Sequence, residues 1–508
     1  MKNTSLIIKT LALILALAIT LAFAGCGDDV MVADGNTASF YPEPSNIATP
    51  SSSEPSWVIP TTSSPPTVTS PPPIENHNIF DQGSEELLLD EVRNLYGRNK
   101  SVHILMWREF TDYEESVIKD FENSTGVKVL TTVTSEETYK SKLISLISQN
   151  NAPDIAMFSS KDFPGLPLNT FKPLNDSLSN YVYSKCLEAN CWNGDYVNAF
   201  EINGNHFGVS MSGSWLCEDM NYVTYYNTKI LNECGCNSDP FNLYKEGKWN
   251  WETQREIFKK IANYNIQNGA NYTPYMTYYY DVFMLSAGKD FASINRLQTP
   301  YRCENKPENT VGHNLVQAWS HINKLYSDKL VEKYDSKKVY NFDKVALYTG
   351  RVYSSFKHSA EFDVTQSKNI GAVPVAGQKG GVEYNPVKPR AYGTPLKAKE
   401  PALGIMFIRY LLAMTTSSSM AKKVNAKSVF LNDKIETTYK CIMSGSHRIK
   451  ISNAGILDFL LVGNYDRWCT DLTTKTNESV ESILKARKNT NKSIINRINK
   501  KFQQIKAN

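Results

Sequence analysis

Between residues 100 and 160 the apolar positions alternate between two rhythms. Val102-His103-Ile104-Leu105-Met106-Trp107 is a short apolar run of strand length. Asp112 then caps a helix with Val117, Ile118 and Phe121 on one face, closed near Gly126. Val127 to Val133 predicts a second strand, Glu136 to Gln149 a helix with Leu143, Ile144 and Ile147 inward, and Ile155-Ala156-Met157-Phe158 a third strand. A β-α-β-α-β succession demands parallel strands with right-handed crossovers, and a doubly wound sheet of this kind places its ligand site beyond the carboxyl ends of its strands. Trp107, Arg108 and Glu109 follow the first strand, and Phe158, Ser159, Ser160, Lys161 and Asp162 attend the third, so these loops are expected on one edge. Further helices are predicted around 252–263, 313–327, 402–414 and 479–505, with strands at 208–211, 223–226, 352–356 and 370–374. Continued interleaving implies a second α/β core. Residues 77–98 read as a helical lead-in.

The pattern is different at the start of the chain. Lys2 and Lys9 flank a run from Leu11 to Ala24 that is almost wholly apolar, which is the make-up of a secretory signal over residues 1–25. Leu21-Ala22-Phe23-Ala24-Gly25-Cys26 resembles the lipobox of bacterial lipoproteins, with Phe23 where that family usually has Leu. The resemblance implies that the Cys26 thiol is acylated, as by palmitate, and anchors the chain on the extracytoplasmic face of the cell membrane. An uncleaved membrane-spanning anchor is the alternative, since the run barely meets the ~20 residues a crossing needs. Residues 26–76 are rich in Ser, Thr and Pro and bury too little apolar surface to fold. They form a tether able to hold residues 77–508 on the order of 100 Å from the lipid.

Length and charge narrow the picture. At 508 residues the chain exceeds one core, and its formal charge of +4 is concentrated near the C-terminus, at Lys485, Arg487, Lys488, Lys492, Arg497, Lys500, Lys501 and Lys506. No basic stripe crosses the folded part, which argues against a nucleic-acid partner. Besides Cys26, eight cysteines remain and pairing is open, with Cys186 and Cys191 the nearest local candidates. Scattered histidines and the lone Cys234-Gly235-Cys236 suggest neither a metal site nor a cofactor. The C-terminal helix reads either as a surface-binding element or as a terminal helix that buries Ile494, Ile498, Phe502 and Ile505.

An ordered set of segments over about residues 100–415 resembles the extracellular solute-binding proteins of ABC importers, in the group around maltose-binding protein (family 1). Phe121-Glu122-Asn123-Ser124-Thr125-Gly126-Val127-Lys128-Val129 is similar to that family's "F-E-x-x-T-G-I-x-V" turn, and Ala152-Pro153-Asp154-Ile155 to its "A-P-D-I". Lys172-Pro173-Leu174-Asn175, Gly204-Asn205-His206-Phe207-Gly208-Val209, Tyr225-Tyr226-Asn227-Thr228-Lys229 and the helix start Trp251-Glu252 resemble further family segments in the same order. The resemblance implies an α/β, type II periplasmic-binding-protein-like fold of two doubly wound lobes joined by hinge crossings. Lobe one would hold about 97–210 and 390–435, and lobe two about 211–389 and 436–508. It also implies a small-molecule solute, a carbohydrate, held between the lobes, ABC permease subunits as partners, and no catalysis. A solute-sensing lipoprotein, a receptor for another small solute and a surface glycan hydrolase are the alternatives.

A sugar presents a polar rim and weakly polar C–H faces, so its receptor needs flat rings together with carboxylates, amides or cations. Trp107 and Phe158 are the expected platforms in lobe one, with Arg108, Glu109, Ser160 and Asp162 beside them. Ser212 and Trp215 follow the first expected hinge, and Tyr278, Tyr279 and Asp281 resemble the aromatic stretch that family members stack on sugar rings. Phe356 lies near the position where the family carries a further platform, which here is Ala360. Ser354-Ser355-Phe356-Lys357 fits the Ser-x-x-Lys pattern of penicillin-binding enzymes, but the partner motifs are missing. Paired carboxylates for glycoside hydrolysis leave no local signature.

Overall fold

The computed structural model describes residues 78–508, apart from 212, 219–220, 278, 305–312, 334–341, 353–367, 383, 424–425, 427, 444–447, 459–463 and 506–508. Cys26, Ser212, Tyr278 and Phe356 therefore lie outside the described residues, as do the signal and the whole of the tether.

The β-α-β-α-β reading of the opening segment holds. Strands β1 (Ser101–Met106), β2 (Lys128–Val133) and β3 (Ile155–Ser159) are parallel, linked by the helices Asp112–Thr125 and Tyr139–Ser148. The first crossover helix is capped by Thr111, one residue before the expected Asp112. Its side chain accepts from Glu114 N while the Glu114 carboxylate accepts from Thr111 N, a reciprocal capping box. The helix ends at Gly126, whose φ of 77° suits a residue without Cβ. Val117 and Phe121 face the core, and Phe121 packs edge-on against Phe407 with ring centroids 5.0 Å apart.

Two late strands complete the picture. With β4 (Phe171–Lys172) before them, the chain forms β5 (Tyr222–Asn227), β6 (Thr273–Thr277), β7 (Val331–Lys333), β8 (Val345–Arg351) and β9 (Ile370–Pro374), then β10 (Tyr384–Val387), β11 (Arg390–Pro395) and β12 (Arg448–Ile451). Sheet one runs β2-β1-β3-β11-β4, so β11 returns antiparallel beside β3 from more than 200 residues away. Sheet two runs β7-β6-β8-β5-β9, and β10 pairs with β12 in a separate two-stranded ribbon. Both five-stranded sheets are mixed. Only two residues, Lys388 and Pro389, separate β10 from β11, so this short segment carries the chain into sheet one.

Asp154 fastens the return crossing. Its carboxylate accepts from the backbone N–H of His103, Lys399 and Glu400 at 2.9, 3.0 and 2.8 Å. This ties β1 to the start of the helix Pro401–Met414, whose residues from Leu403 to Ala413 are all buried.

Other expectations are met or adjusted. The helix expected at 313–327 spans His313–Ser327, and the one at 252–263 extends to Trp251–Asn268, capped by Asn250. The C-terminal segment is two helices, Val480–Ala486 and Lys488–Gln504, and the second buries Ile494, Ile498 and Phe502 against its neighbours, as a packed terminal helix does. Residues 208–211 form isolated bridges, Val209 with Tyr392 and Met211 with Trp192, in place of a strand. All eight described cysteines are free thiols, Cys186 and Cys191 included. Among the described residues no helix is long and apolar enough to cross a membrane, and no group of three or more His, Cys, Asp or Glu residues is arranged to hold a metal ion.

Candidate functional site

Beyond the carboxyl ends of β1 and β3 lies a cavity of about 200 Å³. Trp107, the residue after β1, forms one wall, with Met157 and Ser159 from β3 and Lys161 and Asp162 from the loop that follows. Side chains alternate across a strand. Met157 and Ser159 therefore face this cavity, while Phe158 between them points into the core.

Phe158 is accordingly not an open platform. It is fully buried, edge-on to Phe171 and Phe200 with ring centroids 5.1 Å away in each case. Its apolar ring gains more from that cluster than from a polar cleft.

Arg108 is also corrected. Its guanidinium makes a two-pronged contact with the buried Glu114 carboxylate, both N–O distances 2.7 Å, and so supports the capping box. Glu109 is exposed beside it, and neither residue lines the cavity. Ser160 is buried, its N–H donating to Pro389 O and its carbonyl accepting from Gly455 N, so it joins the loop to the crossing without lining the cavity. Trp215 opens the short helix Trp215–Glu218 and is buried with its backbone N–H donating to Thr415 O, again away from the cavity.

Trp107 and Asp162 are thus the lobe-one expectations that the fold brings together. Asp162 accepts from the N–H and hydroxyl of Ser159 at 2.9 and 2.8 Å and pairs with Lys140 at 2.6 Å. The Arg390 guanidinium lies 4.0 Å from the centroid of the Trp107 ring, at the distance of a cation–π contact. Arg390 also approaches Glu136 at 3.8 Å.

A second cavity of about 80 Å³ adjoins the first, sharing Lys161 and Asp466 as walls. Its other walls include Tyr279 and Asp281, which follow β6 of sheet two. Tyr279 packs against Tyr222 with ring centroids 4.6 Å apart. Asp281 is buried, paired with the equally buried Lys388 at 2.7 Å, and accepts from the Tyr465 hydroxyl at 2.8 Å. The Lys388 ammonium lies 5.3 Å from the Tyr279 ring centroid, 5.6 Å from that of Tyr222 and 5.8 Å from that of Tyr465. A cation among three rings and a carboxylate is satisfied by both.

Lys161 meets Asp466 at 3.7 Å where the two cavities join. Burial pulls the Lys161 ammonium toward neutrality, but Asp466, Tyr279, Asp281 and Glu136 outweigh it and hold its pKa above the ordinary lysine value. Asp458, on the wall of the first cavity, shows the opposite balance: burial raises its carboxyl to about 6 although its Oδ1 accepts from Tyr465 N. Trp468 is buried edge-on to Phe291 and takes a core role.

Sequence reasoning did not single out Glu136, Lys140, Lys388, Arg390, Asp458 or Asp466. Each is a charged residue in a polar stretch, and its place at the cavities depends on pairing between segments far apart in the chain. The result is a cleft between the sheets lined by one indole, the tyrosines Tyr139, Tyr279 and Tyr280 and paired charges, with hydrogen-bond donors and acceptors on both sides.

Two α/β sheets joined through the short Lys388–Pro389 crossing, with such a cleft between them, have the architecture of a solute-binding protein. A family model described as bacterial extracellular solute-binding protein matches residues 116–428, and the chain belongs to that family. Membership places the folded region outside the cytoplasm. The fold is that of type II periplasmic sugar-binding proteins. An ABC substrate-binding protein from Listeria monocytogenes, solved in complex with cycloalternan, is 14% identical with a TM-score of 0.55 over 78% of this chain and 99% of that one. The GacH receptor of Streptomyces glaucescens, solved unliganded and with acarbose, is 14% identical with a TM-score of 0.55 over 78% and 98%. The sugar-binding protein MalE from Xanthomonas citri is 13% identical with a TM-score of 0.55 over 80% and 100%. No curated protein matches the chain by sequence.

Proposed function

We propose that this protein is a lipid-anchored extracytoplasmic receptor that captures a sugar or oligosaccharide in the cleft between its sheets and delivers it to an ABC permease. The observation that carries this reading is the junction of the two cavities at Lys161 and Asp466, with Trp107 on one side and Tyr279 and Asp281 on the other. Rings supply stacking for C–H faces, and the surrounding carboxylates and cations suit hydroxyl rims. The similar structures solved with cycloalternan and acarbose support the same class of ligand. Contacts from both lobes to one solute favour the closed arrangement over the open one, and the permease reads that arrangement. The solute leaves chemically unchanged.

The test is titration of the exported chain, from Cys26 onward, with a panel of mono- and oligosaccharides, following tryptophan fluorescence and thermal melting and then assaying the sugar. Ligand selective for the native state stabilises it by about 2.7 kcal/mol at a hundredfold excess over Kd. A saturable response with intact sugar, weakened at least tenfold by Trp107→Ala, is expected. Hydrolysed sugar, or no response across the panel, refutes the reading. Cys26→Ser is expected to leave the protein in the soluble fraction of cells that otherwise retain it on the membrane.

A further inference from the structure

The charges around the first cavity of the cleft do not balance. Its walls carry the carboxylates of Glu136, Asp162, Asp458 and Asp466. The cations there are Lys140, Lys161 and Arg390. Three of the acids have a partner: Asp162 meets Lys140 at 2.6 Å, Asp466 meets Lys161 at 3.7 Å and Glu136 meets Arg390 at 3.8 Å. Asp458 is left over. Its Oδ1 accepts from Tyr465 N at 2.8 Å, and Lys140 and Lys161 act on its carboxylate only at longer range. Among the described residues no cation pairs with it directly, and it is partly exposed on the cavity wall.

The neighbouring groups report the same surplus. Burial works against the charged form of Lys161, yet the acids around it keep it an ammonium. Burial first, and Asp466 after it, push the Asp458 carboxyl up to about 6, so a carboxylate that is ionised at pH 7 stands half-buried without a counter-ion. A neutral sugar can donate a hydroxyl to Asp458 but leaves that charge uncompensated. A ligand ammonium compensates it, and a hydrogen bond from a charged donor to a carboxylate is stronger than one between neutral groups. The ammonium has a frame to arrive on, because the same cavity is walled by the Trp107 indole, which suits a sugar's C–H face. Trp107 follows β1, whereas Asp458 follows the helix Ala454–Leu457, so one ligand engaging both joins stretches far apart in the chain.

Resting on the sugar-receptor reading, we infer that the solute is an amino sugar carrying a free ammonium, and that Asp458 is the residue that selects it. Calorimetry and thermal melting of the exported chain at neutral pH test this with glucosamine, galactosamine and short glucosamine oligomers, each set against its neutral parent sugar and its N-acetylated form. At least one amine should bind at least tenfold more tightly than both neutral counterparts. Methylammonium, a cation without the ring, should bind at least tenfold more weakly than that amine. Asp458→Asn keeps the size of the side chain and removes its charge; it should bring the amine and its parent sugar to within about twofold of each other while leaving binding of the parent sugar unchanged. Glu109→Gln, which removes an exposed carboxylate outside the cavity, should keep the preference. Neutral sugars that bind as tightly as their amines, a preference that survives Asp458→Asn or one lost equally with Glu109→Gln overturns the inference and leaves the sugar reading in place. Methylammonium binding as tightly as the amine overturns it as well. Silence from every sugar, amine and neutral alike, overturns the sugar reading and this inference together.

Discussion

Replacing Asp281 by Asn tests how the cleft is held together. Asp281 and Lys388 are 3% and 2% exposed and 2.7 Å apart. At an effective dielectric of about 20 their direct attraction is roughly 6 kcal/mol, while taking each ion out of water costs several kcal/mol. The intact pair therefore contributes little net stability, but removing one charge leaves the other buried and alone, at about 3–5 kcal/mol. Asn preserves the shape and an oxygen for the Tyr465 hydroxyl, so the loss reports charge. The three tyrosine rings near Lys388 offset ~2 kcal/mol at most. For a folded unit of roughly 430 residues, 1 kcal/mol corresponds to about 1 °C of melting temperature, so Asp281→Asn should lower it by about 3–5 °C. Asp281→Asn with Lys388→Met should recover most of that loss, since no buried charge is left unpaired. Denaturant and thermal unfolding of the two single variants and the double variant complete the cycle. Additive losses, or a single-variant loss under about 1 kcal/mol, would falsify the buried-pair reasoning.

Asp458 gives a pH signature. Its carboxyl titrates near 6 when folded, above its ordinary value of 3.8, so the native state binds the proton more tightly than the unfolded chain does. This group's contribution to stability is full below pH 3.8 and is lost as pH rises through 6, so the stability gained by Asp458→Asn should grow from pH 4 to pH 7; a flat difference refutes it. Gly393→Ala on β11 places a Cβ 2.1 Å from the Phe207 carbonyl oxygen, a backbone atom that cannot swing aside, and should destabilise by about 3 kcal/mol in denaturant unfolding. Asp154→Ala removes the acceptor of three backbone N–H groups at the return crossing and should cost about 3 kcal/mol, measured the same way.

The first half of the fold was legible because its strands and helices follow one another locally. The apolar run 102–107 and the Val117–Phe121 face of the first crossover helix bury what their periodicity indicates, whereas in the second the buried face is Tyr139, Leu143 and Leu146, with Ile144, expected inward, 52% exposed and Ile147 only partly buried. The error at Phe158 was one of parity. The strand includes Ser159, and the side facing the cavity is the one carrying Met157 and Ser159, which the apolar run alone did not reveal. Arg108 carried a usable signal that was passed over: Thr111 and Glu114 have capping-box spacing, and a carboxylate so placed draws a nearby guanidinium. Asp458, Asp466, Lys388 and Arg390 carried none. Their position depends on β11 returning beside β3 and on the helix Asn464–Thr474 packing against the distant helix His313–Ser327, and neither contact has a local pattern.

That distant assembly gives the crossing between the sheets its character. Lys388 and Arg390 stand on either side of Pro389, yet their charges are held in different places. The Lys388 ammonium is paired with Asp281 among rings that include Tyr222 of sheet two, while the Arg390 guanidinium covers Trp107 at the edge of sheet one. A two-residue segment fixed by a cation at each end has little slack, so a change at one cation is felt at the other. A sugar ring seeking the covered face of Trp107 competes directly with Arg390. On the proposed function, stacking there would displace the guanidinium, which is joined through Pro389 to the buried pair in the second cavity. On that reading, occupancy of the platform and the set of the crossing would therefore be one equilibrium.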